Sequence, residues 1–261
     1  MEDHNKKILS LLKTKDAHNI ALAFQLCLGK NGEYNEKVTK ELRKYPISCI
    51  KNNVEMEFIK QVDAIEIYDN ELYFLKPGNN KNTKPLSTAD GHSLKIMVNP
   101  FPPELFAFTG LKSLFLIQRQ ITHIPPEIEQ LKSLEVLNLS DNSIETVPPE
   151  IGNLDQLQNL DLSYNKIKSL PEEMAKLTEL SELNLRSNKL YSDDLSVSGA
   201  LQKLKVLDIA YNEVQFLPFQ LKLKKLKKVI VSGNPMSPKE VEFIRQLSGK
   251  CKIIDEDEFF L

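Results

Sequence analysis

Along the second half of the chain the apolar and polar positions fall into one recurring phrase: leucine, two residues, leucine, one residue, leucine, two residues, asparagine. It is spelled by Leu134, Leu137, Leu139 and Asn142, then Leu157, Leu160, Leu162 and Asn165, then Leu180, Leu183, Leu185 and Asn188. Leu204, Leu207, Ile209 and Asn212 follow, and Leu226, Val229, Val231 and Asn234 close the series. The asparagines stand 23, 23, 24 and 22 residues apart. Within one phrase Leu137 and Leu139 alternate with Val136, Asn138 and Ser140, the period of a short strand with its leucines on one side. Ile144, Val147, Ile151 and Leu154 supply further inward positions as the chain doubles back.

A period of this length predicts a solenoid. One such unit buries too few aliphatic side chains to offset the entropy of fixing its backbone. Stacking covers the open top and bottom of each layer and pairs the strands into one parallel sheet. Asparagine carries both a donor and an acceptor, so an inward-turned Asn142 and its equivalents can satisfy backbone groups of the bends in adjacent layers. Stepping back 23 residues puts Arg119 at the asparagine position, with Phe108, Leu111, Leu114, Leu116, Ile121, Ile124 and Ile128 in the apolar places. The register survives there while the asparagines stop. One step further back lands on Val98, Phe101 and Leu105, a degenerate first coil with its strand expected near Leu94 to Val98.

Three coils also carry a proline phrase on the return limb, Ile124-Pro125-Pro126-Glu127-Ile128, Val147-Pro148-Pro149-Glu150-Ile151 and Leu170-Pro171-Glu172-Glu173-Met174, reduced to Leu217-Pro218 in the unit of Asn212. On these residues, about 94–236, the chain resembles leucine-rich repeats of the 23-residue kind, found in intracellular Ras-group and many bacterial repeat proteins. The resemblance implies an α/β fold: a parallel concave sheet, an irregular or short-helical convex side, and a role in protein interaction and signalling. Proline presets the angle for a tight turn or helical start, and the acid after it suits a helix N-terminus. The unit of Asn188 has no proline between Leu190 and Leu195 and its successor begins one residue late, so its back should bulge.

The ends read differently. Ser237-Pro238-Lys239-Glu240 is a capping box with proline at the first helical position, and Val241, Ile244 and Leu247 then recur at helical spacing. Cys251, Ile253 and Ile254 would add a last edge segment, charged by Asp255 to Glu258 against further strand addition. In the N-terminal third, Asp16 can cap a helix bearing Ile20, Ala23, Phe24 and Cys27, stopped at Gly29. A second helix is expected around Val38 to Lys44, before Pro46. Val54, Met56 and Phe58 alternate like a strand, and Ile65 and Ile67, Asp69-Asn70 and Leu72 to Leu75 read as a hairpin. Lys76 to Asp90 is a polar connector. The organisation expected is 1–87 as an α+β cap region with connector, 88–236 as about six to seven coils, and 237–261 as a C-terminal cap.

Composition narrows the function classes. A net charge of −2 speaks against a general nucleic-acid or membrane-surface binder. The cluster Ile8, Leu9, Leu11 and Leu12 is too short for a signal sequence or a span. Cys27, Cys49 and Cys251 are odd in number and scattered, without the paired clusters that seal secreted repeat arrays, which favours a reducing, cytoplasmic home. His4, His18, His92 and His123 are far apart, so no metal site is expected. Gly29-Lys30-Asn31-Gly32 lacks the spacing and hydroxyl of a phosphate loop, and no serine sits in a nucleophile turn. The expectation is no enzyme, no cofactor and a monomer.

What remains is surface. Strand residues between the buried leucines project from the concave face. The central column is Phe115, Asn138, Asp161, Asn184, Asp208 and Ile230. Beside it run Ser113, Val136, Asn159, Glu182, Val206 and Lys228, and on the other side Ile117, Ser140, Ser163, Arg186, Ala210 and Ser232. Tyr164 and Tyr211 lie just beyond the strands. The eight candidates for partner contact are Phe115, Asn138, Asp161, Tyr164, Asn184, Arg186, Asp208 and Tyr211; tyrosine and arginine are types enriched at binding hot spots. The same polar groups also suit a plain hydrated face, and Phe115 and Ile117 suit either an exposed anchor or a covered end. Lys203, Lys205, Lys222, Lys224, Lys225, Lys227 and Lys228 read first as a solvated lateral rim. The reading is a scaffold binding a protein or peptide on its concave face, the alternative being a regulatory or assembly subunit that recognises its partner through the N-terminal region.

Overall fold

The computed structural model describes residues 2–14, 16–28, 34–45, 49–50, 52–60, 64–68, 71–74, 101, 103–218 and 226–255. The chain divides into two compact units, Met1–Leu111 and Lys112–Leu261.

The first unit holds helices α1 (Glu2–Lys13), α2 (Ala17–Leu28), α3 (Glu36–Leu42) and α4 (Met56–Lys60), then strands β1 (Ala64–Tyr68) and β2 (Glu71–Phe74). Asp16 caps α2 as expected, its Oδ1 accepting from the Asn19 N–H at 3.0 Å. Ile20, Ala23, Phe24 and Cys27 form its buried face. Asn35 caps α3 by accepting from the Val38 N–H, so that helix starts two residues earlier than its apolar pattern suggested. The apolar cluster of the first thirteen residues is a helix in its own right, burying Ile8 and Leu12, one turn apart. β1 and β2 pair antiparallel with Tyr68 opposite Glu71, the expected hairpin. The stop at Gly29, the connector from Lys76 to Asp90 and the strand near Leu94 to Val98 lie outside the described residues.

The strand expected at Val54, Met56 and Phe58 is instead a left-handed turn running into α4. Asn53 and Glu55 take φ of 52° and 56°, and the Ile59 N–H donates to the Glu55 carbonyl at 3.1 Å. Glu55 is held there by its carboxylate, which accepts from the Tyr34 hydroxyl and from Arg43 Nε, each at 2.8 Å. Three alternating residues are too few to separate a strand from one face of a helix. Val54 and Ile59 are the positions that turn inward.

In the second unit seven strands pair in parallel and in sequence order: β3 (Ser113–Phe115), β4 (Val136–Asn138), β5 (Asn159–Asp161), β6 (Glu182–Asn184), β7 (Val206–Asp208), β8 (Lys228–Ile230) and β9 (Lys252–Ile254). Leu114, Leu137, Leu160, Leu183, Leu207 and Val229 stand opposite one another and are all buried. The proline phrases become five-residue 3-10 helices at Pro126–Gln130, Pro149–Asn153 and Glu172–Lys176, preceded by Pro125, Pro148 and Pro171 at φ near the proline minimum. In the unit of Asn188 this limb is a nine-residue 3-10 stretch, Ser192–Ala200.

The asparagines form the ladder that the spacing predicted, and it has a sense. Asn165 Nδ2 donates to the carbonyls of Leu139, in the preceding coil, and Leu162, in its own, both at 3.0 Å. Its Oδ1 accepts from the Ile144 N–H of the preceding coil at 2.9 Å. Asn142, Asn188, Asn212 and Asn234 repeat the pattern, reaching back to Leu116, Leu162, Leu185 and Ile209. Arg119, where the ladder stops, is on the receiving side: its backbone N–H donates to Asn142 Oδ1 at 2.7 Å.

At the far end Ser237 caps α5 (Pro238–Ser248) by accepting from the Glu240 N–H, with Pro238 at the first position. Ile244 is buried and Val241 half-buried. β9 adds to β8 as the expected edge segment, and Asp255 pairs with Arg245 at 2.6 Å.

Candidate functional site

The outward residues of β4 to β8 enclose a groove of about 280 Å³ on the concave face. The strand register places its walls: Val136, Asn159, Glu182 and Val206 in one column, and Asn138, Asp161, Asn184, Asp208 and Ile230 in the next. Four of the eight candidate residues, Asn138, Asp161, Asn184 and Asp208, therefore come together. Phe115, Tyr164, Arg186 and Tyr211 lie outside its lining. Phe115 is half-buried, whereas Ile117 and Tyr164 are exposed.

The central column has a structural duty that the pattern did not reveal. Each Asn or Asp side chain folds back onto its own backbone two residues on, where its Oδ1 accepts from the N–H of Ser140 (2.9 Å), Ser163 (2.9 Å), Arg186 (3.1 Å) or Ala210 (2.9 Å). These are Asx turns, one at the end of each strand from β4 to β7. The alternation of Asn and Asp down one column was the available signal, since both share this acceptor geometry. The second carboxylate oxygen or amide nitrogen remains for contacts between coils, as when Asn184 Nδ2 donates to Asp161 Oδ2 at 3.2 Å.

Past the turns, the residue before each asparagine adopts a left-handed backbone: Asp141, Tyr164, Ser187 and Tyr211 at φ of 54° to 57°, and Gly233 at 65°. This fixes where the tyrosines point. A Cβ at Gly233 would come within 2.4 Å of the Tyr211 ring, so the last coil's glycine makes room for that side chain. The Arg186 guanidinium lies over the Tyr211 ring at 4.6 Å and pairs with Asp208 Oδ2 at 3.6 Å. Burial pushes the Asp208 carboxyl above its ordinary range, against the Ala210 N–H and the Arg186 charge, which pull it down. Sequence reasoning singled out Arg186, Asp208 and Tyr211 separately; the structure joins them. It left Val136, Glu182 and Val206 out of the eight candidates although they stand beside them in the lining.

Within the lysine-rich stretch one described lysine is paired with a carboxylate. Lys203 pairs with Glu179 at 2.5 Å, near the strand starts like Lys112 with Glu135, while Lys168 pairs with Glu145 past the strand ends. Lys222, Lys224 and Lys225 lie outside the described residues. Among the described residues no group of histidine, cysteine, aspartate or glutamate could hold a metal ion, and no helix is long and apolar enough to cross a membrane.

A family described as a leucine-rich repeat region matches residues 104–247. No curated protein matches the chain. Among solved structures, a leucine-rich repeat protein of Leptospira interrogans is 42% identical, with a TM-score of 0.55, over 59% of this chain and 39% of that one. The leucine-rich repeat ectodomain of the Arabidopsis thaliana membrane receptor kinase GASSHO1/SCHENGEN3, solved in complex with Casparian strip integrity factor 2, is 33% identical with a TM-score of 0.50. That match covers 60% of this chain and 19% of the receptor chain. The chain thus spans well under half of each of these proteins.

Proposed function

The chain belongs to the leucine-rich repeat family, and from that premise we propose that it is a non-catalytic scaffold whose concave face binds a protein or peptide partner. The observation that carries this reading is the groove across β4 to β8, walled by polar side chains with Val136, Val206 and Ile230 among them, and joined at Asp208 to Arg186 and Tyr211. A groove of this make-up offers apolar contact with a few oriented polar groups, the composition of a recognition surface. The receptor kinase likeness adds that a similar repeat array has been solved in complex with Casparian strip integrity factor 2.

The same proposal places the repeats in the 23-residue, Leu-Pro-x-Glu-Ile group, takes 88–236 as the binding array, and sets the protein in the cytoplasm as a monomeric signalling scaffold. The three cysteines are free and buried, and burial pushes the Cys27 thiol up to about 11, so none is exposed for an extracellular bridge. The test compares proteins captured from native cytosol by the wild-type chain and by a triple variant, Asp161→Asn, Arg186→Ala and Tyr211→Ala, after checking that both melt cooperatively. A partner held equally by both would sink the concave-face reading.

One observation favours the alternative. The N-terminal unit has its own buried core, and α2 leaves Leu22 and Leu28 exposed. If Leu22→Asp with Leu28→Asp releases the captured partner while the concave variant retains it, recognition belongs to that unit and the repeats are structural.

A further inference from the structure

Resting on the concave-face reading, we propose that the groove selects one kind of occupant: an extended protein segment with a basic residue between two aliphatic ones, in the pattern aliphatic, any, lysine or arginine, any, aliphatic. The selection comes from charge. Three carboxylates, those of Asp161, Glu182 and Asp208, line the groove, and among the described residues no lysine or arginine does. Asp208 is answered by Arg186 at 3.6 Å. Asp161 receives only neutral donors: the Ser163 N–H at 2.9 Å, the Ser163 hydroxyl at 2.6 Å and the Asn184 amide at 3.2 Å. These hold the carboxylate in place without cancelling its charge. Glu182 is exposed on the neighbouring strand, and among the described residues neither Asp161 nor Glu182 forms an ion pair.

The spacing of the pattern comes from the register. Val136 and Val206 occupy the same column on β4 and β7, both half-buried, with Asn159 and Glu182 between them. Three strand steps of about 4.8 Å separate the two valines by about 14 Å. An extended segment crossing the strands advances about 3.4 Å per residue, so four residues cover the same distance. Alternate side chains face the sheet. Residues one and five of the segment then meet the valines, and residue three lies over the midpoint between β5 and β6, where Asp161 and Glu182 stand. Ile230 at the β8 end gives a longer segment a further apolar contact.

Panning a random nine-residue peptide library on the full-length chain tests this, with Glu182→Lys, the pair Asp161→Asn with Glu182→Gln, and Val206→Arg panned in parallel. Wild type should enrich the stated pattern. The double neutral variant should bind the winning peptide about fivefold more weakly, the upper scale of an exposed charge pair. Glu182→Lys should shift the central preference from basic to acidic, a switch that a misfolded variant could not produce. Peptides that are lost with Val206→Arg but show no basic preference would overturn the charge selection and leave the concave site standing. Peptides indifferent to every concave substitution would overturn both. Failure to enrich any sequence counts against the selection, because it predicts a contiguous linear ligand.

Discussion

In the repeats one side-chain type at one position serves bend after bend, whereas among the described residues of 2–60 Tyr45, Cys49 and Glu55 each have a partner of a different kind. Asn142, Asn165, Asn188, Asn212 and Asn234 make the same bonds to corresponding backbone atoms of successive coils. In the N-terminal unit the Tyr45 hydroxyl donates to the Leu12 carbonyl at 2.9 Å, the Cys49 thiol to Leu42, and Glu55 bridges Tyr34 and Arg43. A period turns a tertiary contact into something local in register. Without it, the same chemistry depends on which distant residues happen to meet.

Three substitutions probe that contrast. The largest effect is expected from Asn165→Ala, which strands the Ile144 N–H in a buried bend and takes one of two donors from each of the Leu139 and Leu162 carbonyls, still served by Asn142 and Asn188. The expected loss is about 3 kcal/mol in urea unfolding, at about 1–3 kcal/mol for an unsatisfied group and about 1 kcal/mol per lost bond. A loss below about 1 kcal/mol would mean that neighbouring coils tolerate a missing rung. Tyr45→Phe removes one bond from the N-terminal unit and should lower stability by only about 1 kcal/mol by the same measurement. A loss as large as that of Asn165→Ala would erase the distinction between shared and private bonds.

The smallest effect concerns pH. Burial raises the Asp208 carboxyl above its ordinary 3.8, so the neutral form is favoured by the fold. That contribution is present in full below the unfolded value and is lost as pH rises through the folded one. Asp208→Asn keeps the acceptor for the Ala210 N–H and should flatten the stability profile on the alkaline side of 3.8. An unchanged slope in urea titrations at several pH values would show that Arg186 holds the carboxylate fully charged.

How much was legible in the sequence follows the same division. Leu137, Leu160, Leu183 and Leu207 could be placed opposite one another because each answers to the same count, and the facing columns came with them. The Asx turns were hidden, since an Asn or Asp on a strand face reads the same whether its side chain meets solvent or its own backbone. The helix at Met56–Lys60 was misread because its start depends on Glu55 meeting Tyr34 and Arg43, contacts across 21 and 12 residues that no local pattern carries. Within the site, joining Arg186 to Tyr211 required the left-handed backbone that aims the ring, and Gly233 behind it.

The backward reach of the asparagines gives the array a head and a tail. Each bend is completed by the coil that follows it, so a coil inserted by duplication brings the amide that its predecessor needs and inherits its own from its successor. Growth in the middle therefore leaves every existing bond type intact, and the concave face lengthens by one strand spacing. Erosion is not symmetric: stripping coils from the C-terminal side uncovers the bend before them at once, while a coil removed from the other side takes its own bend with it.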